Sequence, residues 1–245
     1  MERLEKIYEG KAKIIYNTSD PDLVIQYFKD DASAFNGVKK GTIVDKGVMN
    51  NHISSRIFQY LESEGVETHF VETLNDREML VKKLDIIPVE VVLRNVAAGS
   101  LCKRLGIEEG RVLEKPILEF FYKSDPLGDP MINECHVDVF GWATKQEVEI
   151  LKSEGLKINN LMIKFFKARK IRLVDFKLEF GRHKGEVLLG DEISPDGCRL
   201  WHWETNEKMD KDRFRFNLGN VEEKYQEVYD LICSTGRGGR LPEHC

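Results

Sequence analysis

From Val174 to Phe180 the chain reads Val-Asp-Phe-Lys-Leu-Glu-Phe, apolar and charged residues in strict alternation. Successive side chains on a β-strand point to opposite faces. Val174, Phe176, Leu178 and Phe180 are therefore expected on one face, and Asp175, Lys177 and Glu179 on the other. Gly181 and Gly185 bracket a turn, and Glu186 to Gly190 returns as a second strand ending at Asp191. This hairpin is expected to bring Asp191 back near the start of the first strand, close to Asp175, while a one-residue choice of register leaves open which carboxylate lies directly beside it. Three carboxylates and a lysine on one sheet face suit Mg²⁺ with a bound polyphosphate, since magnesium takes hard oxygen ligands, usually one or two carboxylates plus phosphate oxygens. Lys177 would then hold phosphate charge. The same pattern also suits a solvated sheet face with paired charges.

The rest of the chain reads as an α+β pattern. Leu4 to Tyr8 and Ala12 to Tyr16 flank Glu9-Gly10-Lys11 like a hairpin, and Leu23 to Phe28 is a further apolar run. Val48, Ile53, Ile57 and Leu61 stand at helical spacing, and Gly65 stops the helix. Strands are expected at Thr68 to Thr73, Glu78 to Leu84 and Pro88 to Arg94. Between Glu114 and His136, Pro116, Pro126, Gly128 and Pro130 predict loops at a junction or cleft. Thr144-Lys-Gln-Glu147 forms a capping box, and helix follows to about Lys170 with a break near Gly155. Strand signals return at Ile171 to Phe180, and a last helix covers Glu222 to Ile232. Ser234 to Cys245, rich in Gly and Arg, reads as a disordered tail or an artificial remnant.

Several cationic groups are candidates for holding anions. Ile86 to Arg94 reads as a strand ending in an arginine, and Ser100 is placed to N-cap a short helix from Leu101 to Leu105. A Ser-capped helix beside a surface arginine is the plainer reading. Lys11 and Lys13 share a face over a glycine turn, which suits nucleotide phosphates or an ordinary charged edge. Neither a Walker A loop nor a dinucleotide fingerprint is present. Arg199, Arg215 and Lys123, the last near Asp125 and Asp129, complete the set.

Composition narrows the class. The net charge is −5 over 245 residues, which argues against a chain that coats nucleic acid. Five cysteines, odd in number and without a Cys-x-x-Cys pair, fit reduced thiols. No apolar run nears the roughly 18 residues of a membrane span, and residues 1–8 lack a signal-peptide core. The expectation is a soluble cytoplasmic protein with no membrane or nucleic-acid partner.

Two segments resemble known signatures. Ile86-Ile-Pro-Val-Glu-Val-Val-Leu-Arg-Asn-Val-Ala-Ala-Gly-Ser100 resembles the first signature of SAICAR synthetases, and Leu173 to Gly181 resembles the second. The similarity takes in Gly10-Lys-Ala-Lys13, Val81-Lys-Lys-Leu84, Gly190-Asp-Glu-Ile-Ser-Pro-Asp-Gly197 and Met209 to Arg215, and covers residues 1 to about 233.

The resemblance implies an ATP-grasp-like α+β fold. A smaller N-terminal antiparallel sheet domain (1–84) would cover the nucleotide, and a larger domain (85–233) would hold substrate and metal, with the cleft between. It implies an ATP-dependent ligase of purine biosynthesis. That enzyme joins the carboxylate of 5-amino-1-(5-phosphoribosyl)imidazole-4-carboxylate (CAIR) to L-aspartate, giving SAICAR, ADP and phosphate. Lys11, Ala12 and Lys13 would cover the ATP phosphates, and Val81, Lys82 and Leu84 would contact adenine. Glu179 and Asp191 would hold Mg²⁺, with Asp175 or Asp129 nearby. Lys177 and Lys123 would steady the transferred phosphoryl group. Arg94, Ser100, Arg199 and Arg215 would bind the substrate's anionic groups, and Ser33 and Asn36 would lie near them. A homodimer is compatible with the family. A small-molecule kinase and a non-catalytic nucleotide sensor are the competing readings.

Overall fold

The computed structural model describes residues 1–34 and 38–233. Asn36 and the tail from 234 lie outside the described residues.

The N-terminal strands are β1 (Lys6–Glu9), β2 (Lys13–Asn17), β3 (Leu23–Phe28), β6 (Phe70–Asn75) and β7 (Glu78–Lys82), in the order β1-β2-β3-β7-β6. Between β3 and β6 come a separate hairpin, β4 (Asp31–Ala34) and β5 (Lys39–Thr42), and helix α1 (Lys46–Ser63). The predicted apolar stripe of α1 is buried at Ile53, Ile57 and Leu61 and half-buried at Val48, and Phe58 joins it in the core. The helix ends before Gly65, whose φ of 76° lies in the left-handed region that glycine tolerates.

The second sheet carries the informative strand. It contains β8 (Asp85–Val96), β9 (Val112–Tyr122), β10 (Met131–Ile132), β11 (Ile171–His183), β12 (Glu186–Leu189) and β13 (Cys198–His202). The order is β10-β9-β8-β11, and β12 and β13 then pair with opposite ends of β11. Helices α2 (Gly99–Leu105), α3 (Glu134–Val139), α4 (Lys145–Lys167), α5 (Asp212–Phe216) and α6 (Val221–Cys233) complete the chain. Helix α4 covers one face of this sheet, against Val91, Leu93 and Leu118. Alternation then sends Glu90, Val92 and Arg94 to the uncovered face, where they line a cleft. One continuous apolar core joins both sheets, from Val24 and Phe28 through Ile57 to Val91 and Leu178. Among the described residues no helix is long and apolar enough to cross a membrane, and Cys102, Cys135, Cys198 and Cys233 are unpaired.

Five local expectations are corrected. The stretch expected to be loops begins with the strand β9. Pro116 is tolerated there because β10 pairs only with Phe120 and Phe121, and the β8 ladder shifts register between Arg94 and Val96. Helix α4 runs unbroken through Gly155. A Cβ there would sit 3.3 Å from Val91 Cγ1, so the glycine lets helix and sheet approach closely. Ser100 lies inside α2, whose N-cap is Ala98, and its hydroxyl accepts from Arg94 instead. The hairpin register pairs Phe180 with Leu189, so Asp191 returns beside Glu179, not Asp175. A bulge between Leu173 and Asp175 turns Val174 into a small cluster with Val96, Ala98 and Trp201, away from the main core.

The capping box at the start of α4 is present: Glu147 N–H donates to Thr144 Oγ1 at 3.2 Å, and Thr144 N–H donates to Glu147 Oε2 at 2.7 Å. Arg182 of β11 donates to both oxygens of the same carboxylate, tying helix to sheet. These Arg182 bonds, helped by Thr144 and opposed by partial burial, hold the Glu147 carboxyl down to about 2. A lowered acid stabilises the fold above its unfolded value, and that stability is lost as pH falls through the folded one. Glu147→Gln should therefore unfold at lower urea at pH 7, by about 1–3 kcal/mol. The gap to the parent should close between about pH 4.5 and 2. A gap that stays constant over this range would refute the ionic part of the tie.

Candidate active site

The uncovered face of β8 and β11 holds two charged networks at opposite ends of one cleft. At the first end, Lys177 reaches Glu90 Oε1 at 2.8 Å and bonds Glu179 directly. Lys123, just beyond β9, reaches Glu179 at 2.7 Å. Lys13 of β2 crosses from the N-terminal sheet to bond Asp191 and reach Glu192 at 3.1 Å. Gly190 N–H donates to Glu179 O at 2.9 Å, which sets Asp191 beside Glu179. A Cβ at 190 would meet Leu84 Cδ1 at 2.6 Å, so the glycine lets Leu84 pack against this turn without shifting. Gln26 donates to Asp191 O at 3.2 Å and so supports a residue held at a φ of 60°.

Charge coupling at this end is strong. Burial alone would lower the Lys177 ammonium, yet Glu179, Asp191 and Glu90 outweigh it and raise its pKa well above the usual lysine value. Burial likewise opposes Lys13, and Asp191 and Glu192 overcome it. Burial would raise the Asp191 carboxyl, but Lys13, Lys177 and Lys123 hold it well below the usual carboxylate range. His69, packed behind this network, is driven down to about 3 by burial and stays neutral.

At the other end Arg94 is 3% exposed in its side chain. Its Nε donates to Glu119 at 2.7 Å, Nη1 to Asp175 at 2.7 Å and Nη2 to Ser100 Oγ at 3.0 Å. Arg199 donates through Nη1 to both oxygens of Asp175, at 3.0 and 2.9 Å, and through Nε to Asp212 at 2.8 Å. Arg215 reaches the second oxygen of Asp212 at 2.6 Å. Gly99 has a φ of 55°, and a Cβ there would lie 2.5 Å from Arg199 Nη2, so the bare backbone makes room for that guanidinium. Burial raises the Asp175 carboxyl against the pull of Arg199 and Arg94. Burial and the neighbouring Asp212 push Asp210 up to about 7. A cavity of about 190 Å³, lined by Glu90, Arg94, Ser100, Asp175, Lys177 and Arg199 among others, joins the two ends.

The structure thus brings Lys13, Lys123, Lys177, Glu179 and Asp191 into one cluster, and Arg94, Ser100, Arg199, Arg215 and Asp175 into another. Asp175 serves two arginines and is not beside Asp191. Asp129 accepts from Ser124 N–H at 2.9 Å and stands close enough to Glu90 to help burial and Glu179 raise that carboxyl. Lys11 pairs with Asp125 at 2.7 Å, and Ala12 O accepts from Lys29 N–H. The Val81 side chain is buried in the core, Lys82 donates to Thr68 O, and Leu84 packs against Gly181 and Gly190. Ser33 lies on β4, paired with Lys40. Among the described residues no three His, Cys, Asp or Glu side chains group as a metal cage. Sequence reasoning missed Glu90, Glu119, Glu192 and Asp212. Period two from Arg94 would have reached Glu90 on the same strand.

Fold and site together define an α+β protein with one cleft that holds a lysine–carboxylate cluster at one end and an arginine–carboxylate network at the other. The family model described as SAICAR synthetase matches residues 6–232. The chain is 61% identical over 232 residues to the phosphoribosylaminoimidazole-succinocarboxamide synthase of Pelodictyon phaeoclathratiforme, covering 95% of this chain and 98% of that protein. The crystal structure of phosphoribosylaminoimidazole-succinocarboxamide synthase from Ehrlichia chaffeensis superposes with a TM-score of 0.92 at 52% identity, over 95% of this chain and all of that one. A type-2 SAICAR synthetase in complex with ADP gives a TM-score of 0.91 at 45% identity, covering 96% of this chain and 100% of that chain. The chain belongs to the SAICAR synthetase family.

Asp175 is the hub of the arginine end, so Asp175→Ala takes one of two carboxylate partners from buried Arg94 and from half-buried Arg199. Its cost should be about 3–5 kcal/mol in a urea titration. A loss below about 1 kcal/mol would show that neither arginine depends on it.

Proposed function

We propose that this chain is an ATP-dependent carbon–nitrogen ligase that joins the carboxylate of CAIR to the amine of L-aspartate, releasing ADP and phosphate. The observation that carries this reading is the shared cleft, with a lysine–carboxylate cluster at one end and an arginine network at the other. A carboxylate is a poor acylating group because its leaving group would be oxide. Transfer of a phosphoryl group to that oxygen supplies a better leaving group, and attack of the aspartate amine on the carbonyl carbon then displaces phosphate. The chemistry is mostly positioning and charge neutralisation, so no covalent enzyme nucleophile is required.

Lys11, with the backbone at Ala12, and Lys13 cover the ATP phosphates from the N-terminal sheet. Lys123 and Lys177 hold the oxygens of the transferred group. Leu84 borders the adenine, and the arginine end holds the substrate's phosphoribosyl part. Residues 85–233 line the cleft, and Lys13 reaches its lysine end from residues 1–84. Three ammoniums face four carboxylates at the lysine end, Glu90, Glu179, Asp191 and Glu192. This end is net negative before any polyphosphate arrives, which favours a divalent cation. Mg²⁺ bound through Glu179 and Asp191 fits a donor set of one or two carboxylates completed by phosphate oxygens. When bound, it would neutralise charge on the phosphates.

The test is a three-substrate assay with the product mass measured. ADP release should depend strictly on both CAIR and L-aspartate, and the product should have the mass of SAICAR. ADP release without aspartate would favour a kinase, and nucleotide binding without turnover a sensor. Glu179→Gln and Asp191→Asn should each lower kcat by about 100-fold or more. Activity like the parent's in both would refute the metal assignment.

A further inference from the structure

Lys46 opens helix α1 and is buried to 1% side-chain exposure, yet it lines neither end of the cleft. Its Nζ meets Asp196 Oδ2 at 2.7 Å. Lys211, the N-cap of α5, stands 3.5 Å from the same oxygen. The other oxygen accepts from Tyr225 OH at 2.7 Å. Tyr225 is fully buried in α6, so helices α1, α5 and α6 converge on one carboxylate. Burial would raise that carboxyl, yet Lys211 and Lys46 hold it well below the usual carboxylate range, and it stays ionised. None of these four side chains lines the cavity. Replacing such a cluster by apolar packing is often neutral or stabilising, so stability alone does not account for it.

What the cluster holds is the turn at 192–197. Asp196 N–H donates to Ser194 Oγ at 3.2 Å, and that hydroxyl donates to Glu192 Oε2 at 2.7 Å. The other oxygen of Glu192 takes Lys13, at the lysine end. Ser54 Oγ of α1 donates to Ile193 O, and Lys211 N–H donates to Pro195 O, each at 3.2 Å. On the far side, Lys177 N–H donates to Gly197 O at 3.1 Å, and Gly197 lines the cavity. Arg199 follows two residues on, at the arginine end. Lys211 extends the link to α5, which carries Asp212 and Arg215. One turn thus joins both networks: its first residues belong to the lysine end, and its last lead into the arginine end.

We infer that Asp196, gripped by Lys46, Lys211 and Tyr225, is a positioning residue that sets the separation between the two ends of the cleft, and so the distance over which a phosphoryl group passes to the substrate carboxylate. The inference rests on the ligase reading above and adds to it residues that touch no ligand. Phosphoryl transfer needs its reacting atoms about 3–3.5 Å apart and in line, and a misplacement of about 1 Å costs about 100-fold. Each end keeps its own binding groups when the turn shifts, so loss of the Asp196 contacts should appear in kcat and not in KM.

The experiment measures kcat and KM for ATP and CAIR in the parent enzyme, Tyr225→Phe and Asp196→Asn, with each kcat expressed per folded molecule from circular dichroism. Tyr225→Phe keeps the ring and loses one bond to a charged group. Its kcat should fall by about 5-fold or more, with both KM values within about 2-fold of the parent's. Asp196→Asn leaves two ammoniums facing an amide, and its kcat should fall by about 100-fold. If that variant does not fold, Tyr225→Phe decides alone. An unchanged kcat per folded molecule in Tyr225→Phe marks a merely structural cluster and overturns the inference, as does a rise in KM at constant kcat. Amide hydrogen exchange reads the same link without turnover. In Tyr225→Phe the Lys177 and Cys198 amides, which donate to Gly197 O and Ser194 O, should exchange about 10-fold faster or more, while that of Leu161 in α4 stays as in the parent. No change at Lys177 and Cys198, or an equal change at Leu161, overturns the inference. A parent enzyme that forms no SAICAR sinks the ligase reading, while the exchange measurement still decides whether the Asp196 contacts fix the turn.

Discussion

Asp175 lies almost wholly buried between Arg94 of β8 and Arg199 of β13, and the arrangement of the cleft follows from that one bridge. A lone carboxylate or guanidinium there would carry a desolvation penalty of several kcal/mol. The penalty is offset only if every charge keeps its partners in good geometry. The strands enforce that condition, because Asp175 is in register with Arg94 on one side and Arg199 on the other. The apolar positions between them face α4 or the core, so the sheet cannot slip by one residue without burying the charges against Val91, Leu93 and Leu118. Hydrophobic packing thus fixes the register, and the register fixes the ion pairs.

The two ends of the cleft use different cations for a physical reason. Arginine offers a rigid fork, and the arginine end is a static lattice in which most donors are assigned before any ligand arrives. Lysine offers a compact charge on a flexible stem. Lys13, Lys123 and Lys177 can exchange one oxygen partner for another while a phosphoryl group changes hands, which a rigid fork does less readily. On the proposed reading, the site would combine a preorganised half that grips with an adaptable half that follows the reaction.

Much of the fold was legible because it depended on local pattern. The period-two strand at 173–181, the helical stripe of α1 and the capping box at Thr144 each carry their signal within a few residues. The misreadings arose where tertiary packing overrode that signal. Pro116 and Gly155 are breakers in isolation, yet an open strand edge and a close helix–sheet approach make each admissible. Glu119 was invisible because its strand had been read as loop. The carboxylate beside Asp191 stayed open because the register is set by the length of the turn at Gly185, which hydrophobic alternation does not encode. The roles given to Arg94, Lys13 and Glu179 came from resemblance to a family, since alternation alone left a solvated charged face equally open.

The contacts between the N-terminal sheet and the cleft bear on how a ligand could enter. The Lys11–Asp125 pair is largely exposed and worth at most about 1 kcal/mol, so it opens at little cost. The Lys13 pairs with Asp191 and Glu192 are mostly buried, and opening them without replacement would strand charge on both sides. On the ligase reading, incoming phosphate oxygens take over Lys13 while a divalent cation takes over Asp191. Each buried charge then trades one partner for another and none is left bare. Neither half of that exchange is favourable alone: polyphosphate without the cation would meet a net-negative cluster, and the cation without polyphosphate would compete with three ammoniums. The two are therefore expected to bind cooperatively, with the coupling residing in Lys13, Asp191 and Glu179.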